Sequence, residues 1–132
     1  MKVTADTNIL VRGVVQDDQE QAVAVAKLLR EASLIAVSLP CLCELVWVLR
    51  RVYDFDNAAC AAAIRALLDA DNVVMNRPAV EAGLALLDAG GDFADGVMAH
   101  EGKWLGGETF VSFDRQAVVL LSRQGEAAQL LT

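Results

Sequence analysis

The chain is short of the residues that mark several protein classes. It has two prolines, and its nine glycines follow no fixed period, so collagen-like and proline-rich structures are excluded. No run of eighteen apolar residues occurs, and no bilayer-spanning helix is expected. The N-terminus, MKVTADTNILVRG, meets Asp6 early and shows no small-residue cleavage site after an apolar stretch, so no signal peptide is expected. Basic residues are also scarce. Eleven Lys and Arg face eighteen Asp and Glu, giving a net charge of -7 and a pI near 4.5. That balance argues against passive nucleic-acid binding, which depends on cationic contacts to phosphate. It does not exclude a site in which carboxylates hold metal ions. Two divalent cations would take the charge from -7 to -3 and place positive charge where a phosphate binds.

Cysteine and histidine are too few for a zinc site. The three cysteines are Cys41, Cys43 and Cys60, and the only histidine is His100. An odd count without an export signal points to reduced thiols in the cytoplasm. The C-x-C spacing at 41 and 43 has no second ligand pair, so buried small thiols are expected. His100 reads as a satisfied packing residue.

What is abundant is apolar sequence, 55% of 132 residues, enough for one domain with a genuine core and too much for disorder. Short runs at Lys2–Ala5, Leu34–Ser38, Asn72–Met75, Thr109–Ser112 and Ala128–Leu131 read as strands, those at Leu34–Ser38 and Asn72–Met75 as buried ones and the last as a weak one. Between them lie helical patterns over Gln19–Ala32, Leu42–Tyr53 after Pro40, Asp56 to Leu68, Arg77–Leu87, Asp92 to Trp104 and Gln116–Arg123. Gly90-Gly91 and Gly106-Gly107 end helices. The alternation predicts an α/β fold, a mainly parallel sheet of about five strands, in one domain over 1–132. In such sheets ligands bind at the carboxyl ends of the strands.

Acids stand where that rule directs attention. Asp6 follows the first strand and Asp114 follows TFVSF; Glu44 and Asp95 lie near helix starts. Asp6 is flanked by apolar sequence, which predicts partial burial of its charge. Glu44 lies in the apolar helix C-L-C-E-L-V-W-V-L, where Leu45 and Val48 do not suggest an exposed stripe. Each acid alone also fits a turn, a cap or a solvated face. Four gathered in one cleft would repel one another, and a hard dication, Mg²⁺ or Mn²⁺, relieves that.

Four stretches, in this order, resemble the PIN-domain family and, within it, the VapC-like toxins of type II toxin–antitoxin pairs. They are D-T-N at Asp6–Asn8, P-C-L-C-E-L-V-W-V-L around Glu44, D-F-A-D-G-V-M-A-H at Asp92–His100, and V-S-F-D at Val111–Asp114. The resemblance implies a three-layer α/β/α sandwich and a metal-dependent ribonuclease. It implies that Asp6, Glu44, Asp95 and Asp114 form an acidic quartet around Mg²⁺ or Mn²⁺. Asn8 would support Asp6, and Ser112 stands where the family commonly has Thr. Asp92 reads as a helix cap first and an auxiliary acid second. Gly96 departs from the family's usual Ala. Arg115 reads as a surface residue at a helix start.

The implied partners are RNA, with transfer RNA as one candidate, and a VapB-like antitoxin. The apolar residues Leu42, Leu45, Val46 and Leu49 exceed what one sheet face needs, which predicts a homodimer or a groove for an amphipathic segment. Trp47 is expected to pack or to meet a partner. Two alternatives keep the fold: an RNA-processing nuclease that is not a toxin, and a non-catalytic binding module. A receiver domain lacks its early paired acids here, and a haloacid-type phosphatase lacks D-x-D.

Overall fold

The structure, a computed structural model, describes residues 1–132. Two compact units divide it, Met1–Asn76 and Arg77–Thr132. The first contains β1 (Lys2–Thr4), α1 (Thr7–Val14), α2 (Gln19–Glu31), β2 (Leu34–Ala36), α3 (Leu39–Arg51), α4 (Asn57–Asp69) and β3 (Val73–Val74). The second contains α5 (Arg77–Asp88), α6 (Phe93–Trp104), β4 (Phe110–Ser112), α7 (Arg115–Arg123) and β5 (Ala128–Leu130). The five expected strands are all present and all pair in parallel. They form a ladder in the order β1-β2-β3 and a second ladder of β4 with β5.

In the first unit β2 is central. Ile35 pairs with Val3 on one side and Val73 on the other and is fully buried. Leu42, Leu45, Val46 and Leu49 of α3 are buried too. The fold therefore uses the apolar face that suggested a dimer, and that face carries no argument for one. Aliphatic residues every three to four positions make the helix amphipathic, and burying them is the main stabilising term.

Helix α1 is absent from the sequence-based expectation, which ended the first strand in Asp6-Thr7-Asn8 and began no helix there. Its eight residues include Ile, two Val, Thr and Gly, all weak helix formers. Tertiary contacts supply what propensity lacks. Leu10 and Val11 are buried, and the Asp6 carboxylate caps the first turn by accepting from the Ile9 amide at 3.0 Å. At the other end Arg12 donates to Gln21, Asp17 and Tyr53, tying the last turn to α2 and to the chain after α3.

In the second unit α5 and α6 pack closely because two glycines face across them. A Cβ at Gly83 would meet the Phe93 ring at 2.6 Å; one at Gly96 would stand 2.5 Å from the Ala82 carbonyl oxygen and 2.8 Å from Gly83 Cα. Gly90, at φ +96, lets α5 terminate: its amide and that of Gly91 donate back to Leu87 and Leu86. Below the β4–β5 ladder, Phe110 and Ala128 pack on Leu86, Ala99, Leu120 and Leu121.

Gly96, which reads in isolation as a helix-weakening departure, is thus required by the approach of two backbones. Replacing it by Ala gains about 1 kcal/mol of helix propensity but drives a methyl into backbone that cannot rotate away. Overpacking of this kind costs about 1–3 kcal/mol or more. We expect Gly96→Ala to lower the urea midpoint, and an unchanged or raised midpoint would show that α5 and α6 can separate freely.

Candidate metal centre

Five of the seven helices begin on an Asp cap: Asp6, Asp18, Asp56, Asp92 and Asp114. An N-terminal carboxylate satisfies otherwise unpaired amides and meets the positive end of the helix dipole. Capping therefore accounts for where three of the candidate site acids stand. It does not use up their donor capacity. Asp6 accepts from Ile9 through Oδ1, Asp92 accepts from Ala94 through Oδ1, and Asp114 accepts from Gln116 and Ala117 through Oδ1. In each case Oδ2 is left for another partner, since an ionised carboxylate has room for about four bonds.

The first unit brings two of the predicted acids to one neighbourhood. Asp6 caps α1, and Glu44 lies one turn beyond Cys41 on α3. Burial pushes the Cys41 thiol up, a hydrogen bond from Thr7 acts the other way, and the fields of both carboxylates reach the thiol and add to the rise. Both acids are exposed, which corrects the expectation that Asp6 is partly buried. The cause is its role as a cap, which places it outside the helix mouth. Glu44 is exposed on a stripe that also holds Pro40, Trp47 and Arg51. The stripe follows the 40, 44, 47, 51 spacing rather than Leu45 and Val48, so a solvated face does exist around Glu44. Asn8 is exposed beside Asp6, and the bond that orients Asp6 comes from Ile9.

The second unit gathers three acids. Asp95, in the first turn of α6, is half-buried and has its pKa raised, first by desolvation and then by the charges of Asp92 and Asp114. Ser112 holds the Asp114 turn by accepting its amide at 2.9 Å, which matches a supporting role for that hydroxyl. The ion pairs of Arg12 with Asp17 and Lys103 with Glu126 lie elsewhere, and neither Asp95 nor Asp114 is neutralised by a basic side chain.

As they lie, no three His, Cys, Asp or Glu side chains are close enough to enclose a metal ion. The donors nevertheless fit one. All are hard oxygens, Oδ2 of Asp6, Asp92 and Asp114 is uncommitted, and Asp95 is pressed by like charges that a cation would relieve. Mg²⁺ keeps several of its own waters and reaches carboxylates through them, so spread donors suit it better than Zn²⁺.

His100 departs from expectation. Its Nε2 is buried without a partner, so it is not a satisfied packing residue. The side chain lines a cavity with Ala82, Gly96, Leu121, Lys103, Gln124 and Glu126, and none of these hydrogen-bonds to the nitrogen. Cys41 and Cys60 are buried free thiols, as expected. Trp47 and Trp104, 59% and 80% exposed, are not core residues. Arg115 is exposed at the start of α7.

Residues 3–120 match the family described as PIN domain. That is most of the chain and extends over most of each unit, so the protein belongs to the PIN-domain family, whose members are in general nucleases. No curated protein matches it. No helix is long and apolar enough to cross a membrane.

The raised pKa of Asp95 has a sign that can be tested. The native state favours its protonated form, so its contribution to stability is fully present below the unfolded carboxylate pKa, about 3.9. It is lost as pH rises through the higher native value. We expect Asp95→Asn to raise the melting temperature at neutral pH and to lose that advantage near pH 3.5. Added Mg²⁺ should stabilise the unsubstituted protein and narrow the difference. An Asn variant no more stable than its parent at pH 7 would mean that Asp95 is not under charge pressure.

Proposed function

We propose that the protein is a divalent-metal-dependent endoribonuclease, a single nuclease domain over 1–132, acting as the toxin of a VapBC-type pair. The observation that carries this is Asp95: a half-buried carboxylate, flanked by Asp92 and Asp114 and paired with no cation. Such an arrangement is a stability cost that a bound dication removes. Membership of a nuclease family says what the dication would be for.

In this reading Asp6, Asp95 and Asp114 bind one Mg²⁺ or Mn²⁺ through the oxygens not used in capping. Glu44 positions that ion or a second one. Bound there, the metal supplies a water of lowered pKa and offsets negative charge on a phosphodiester. Ile9, Gln116 and Ala117 fix the carboxylates through their amides, and Ser112 fixes the turn that carries Asp114. Asp92 adds charge beside Asp95. Asn8 lies next to Asp6 as a polar support. The protein's own negative charge makes the dication a condition for RNA to approach.

The same acidity suits an antitoxin that presents a basic side chain to the site. A second surface could seat its apolar part. Leu10, Val14, Leu29, Ala66, Leu67 and Val73 line an apolar cavity of about 360 Å³ in the first unit. This is the kind of seat an amphipathic helix fills. We place the protein in the cytoplasm, where its three thiols stay reduced. For a homodimer, the exposed Trp47 and Trp104 supply the apolar surface, since the α3 core residues do not.

Digestion of RNA by purified protein should require Mg²⁺ or Mn²⁺ and stop with EDTA. Residues that merely support metal ligands are worth about 10–100-fold. Asp6→Asn and Asp95→Asn should therefore each cost about 100-fold or more. They should also each abolish Mn²⁺ binding in a calorimetric titration, because each removes a ligand of the same ion. Either variant binding and cleaving like its parent would overturn the quartet.

A further inference from the structure

Glu44 and Asp6 belong to different helices, and something must set the distance between them if they are to serve one ion. The Asp6 cap fixes only the carboxylate relative to α1. The Ser38 cap, which accepts from the Cys41 amide at 3.3 Å, fixes only the first turn of α3. Between these two capped turns one side-chain bond is made: the Thr7 hydroxyl donates to the Cys41 sulfur at 3.8 Å. Thr7 follows Asp6 directly, and Cys41 precedes Glu44 by one turn. The bond therefore joins the neighbours of both acids. Cys41 is 7% exposed, so water does not compete strongly for its sulfur.

We infer that Thr7 and Cys41 form a clamp that positions Asp6 relative to Glu44, making both of them positioning residues of the metal centre. The inference rests on the proposed metal-binding role of Asp6 and Glu44. Everything else near Cys41 is consistent with a mechanical rather than a reactive function. Its thiol is buried and held protonated, with two carboxylates disfavouring the thiolate; a nucleophile needs the opposite setting. Elsewhere α1 is tied at its last turn by Arg12, which donates to Tyr53 just beyond α3, and both helices bury apolar side chains, Leu10 in α1 and Leu42 and Leu45 in α3. The Arg12 bonds act at the far end of α1, and apolar packing alone leaves the placement of its first turn loosely set. A hydrogen bond at the helix mouth does fix it, even when sulfur is a weak acceptor.

The test is a Mn²⁺ titration by calorimetry on the full chain, with Thr7→Val as the main variant. Valine keeps the shape of threonine and removes only the hydroxyl. Expected is Mn²⁺ binding weakened by about threefold to tenfold, the range of a single modest hydrogen bond, with unchanged stoichiometry. Thr7→Ser should restore binding, and Cys41→Ser, which retains an acceptor, should bind more tightly than Cys41→Ala. A packing defect would not be rescued in that pattern, and melting curves of each variant identify any that fail to fold. Thr7→Val binding Mn²⁺ as its parent does, while Asp6→Asn loses the ion, would overturn the clamp and leave the metal centre standing. Asp6→Asn binding as its parent does would overturn both.

Discussion

A carboxylate at the mouth of a helix has two oxygens, and the helix takes only one. Most of what this chain can do follows from that division. Oδ1 of Asp6, Asp92 and Asp114 is engaged by backbone amides, which holds each side chain at the positive end of its helix. Oδ2 then points where the local geometry sends it. In the proposed metal centre, capping and metal binding would not compete, because they use different oxygens. A rigid carboxylate loses little freedom on taking a cation.

The two units prepare their acids differently. In the first, Asp6 and Glu44 are exposed, and their neighbours Thr7 and Cys41 join the helices that carry them. Solvent screens these charges, and folding tolerates them at little cost. In the second, Asp95 is half-buried and feels Asp92 and Asp114, so its charge works against the fold. The close α5–α6 approach through Gly83 and Gly96 contributes to this, since Asp95 directly precedes the glycine that lets the helices touch. A feature that costs stability, in a chain that belongs to a nuclease family, is better explained by ligand binding than by architecture.

Much of the fold was legible in the residues. Caps at Asp56 and Asp92, stops at Gly90-Gly91, and five short strands all have local causes, and all are present. Helix α1 was not legible, because Thr7–Val14 is built of residues with weak helix propensity and is held by Leu10, Val11 and Arg12 through contacts far along the chain. The surplus apolar face of α3 was misjudged for a related reason. Periodicity shows that Leu42, Leu45, Val46 and Leu49 share a face, but not how many elements cover it. His100 was misjudged because satisfaction of a buried nitrogen depends on what surrounds it in space, including Ala82, Leu121 and Gln124 of other helices or their ends.

The candidate site divides along the same line. Sequence order alone picked out Asp6, Glu44, Asp95 and Asp114, because acids after apolar strands and inside apolar helices are conspicuous without any coordinates. The α/β class followed from alternating periodicities, which are properties of neighbouring residues. Exposure, by contrast, belonged to the tertiary structure: it put Asp6 and Glu44 in solvent and Asp95 half out of it. So did the choice of which carboxylate oxygen each helix engages, the sulfur-accepted bond between Thr7 and Cys41, and the need for glycine at position 96. Each of these depends on distances between atoms that the chain brings together only by folding, and no pattern along the backbone encodes a distance across it.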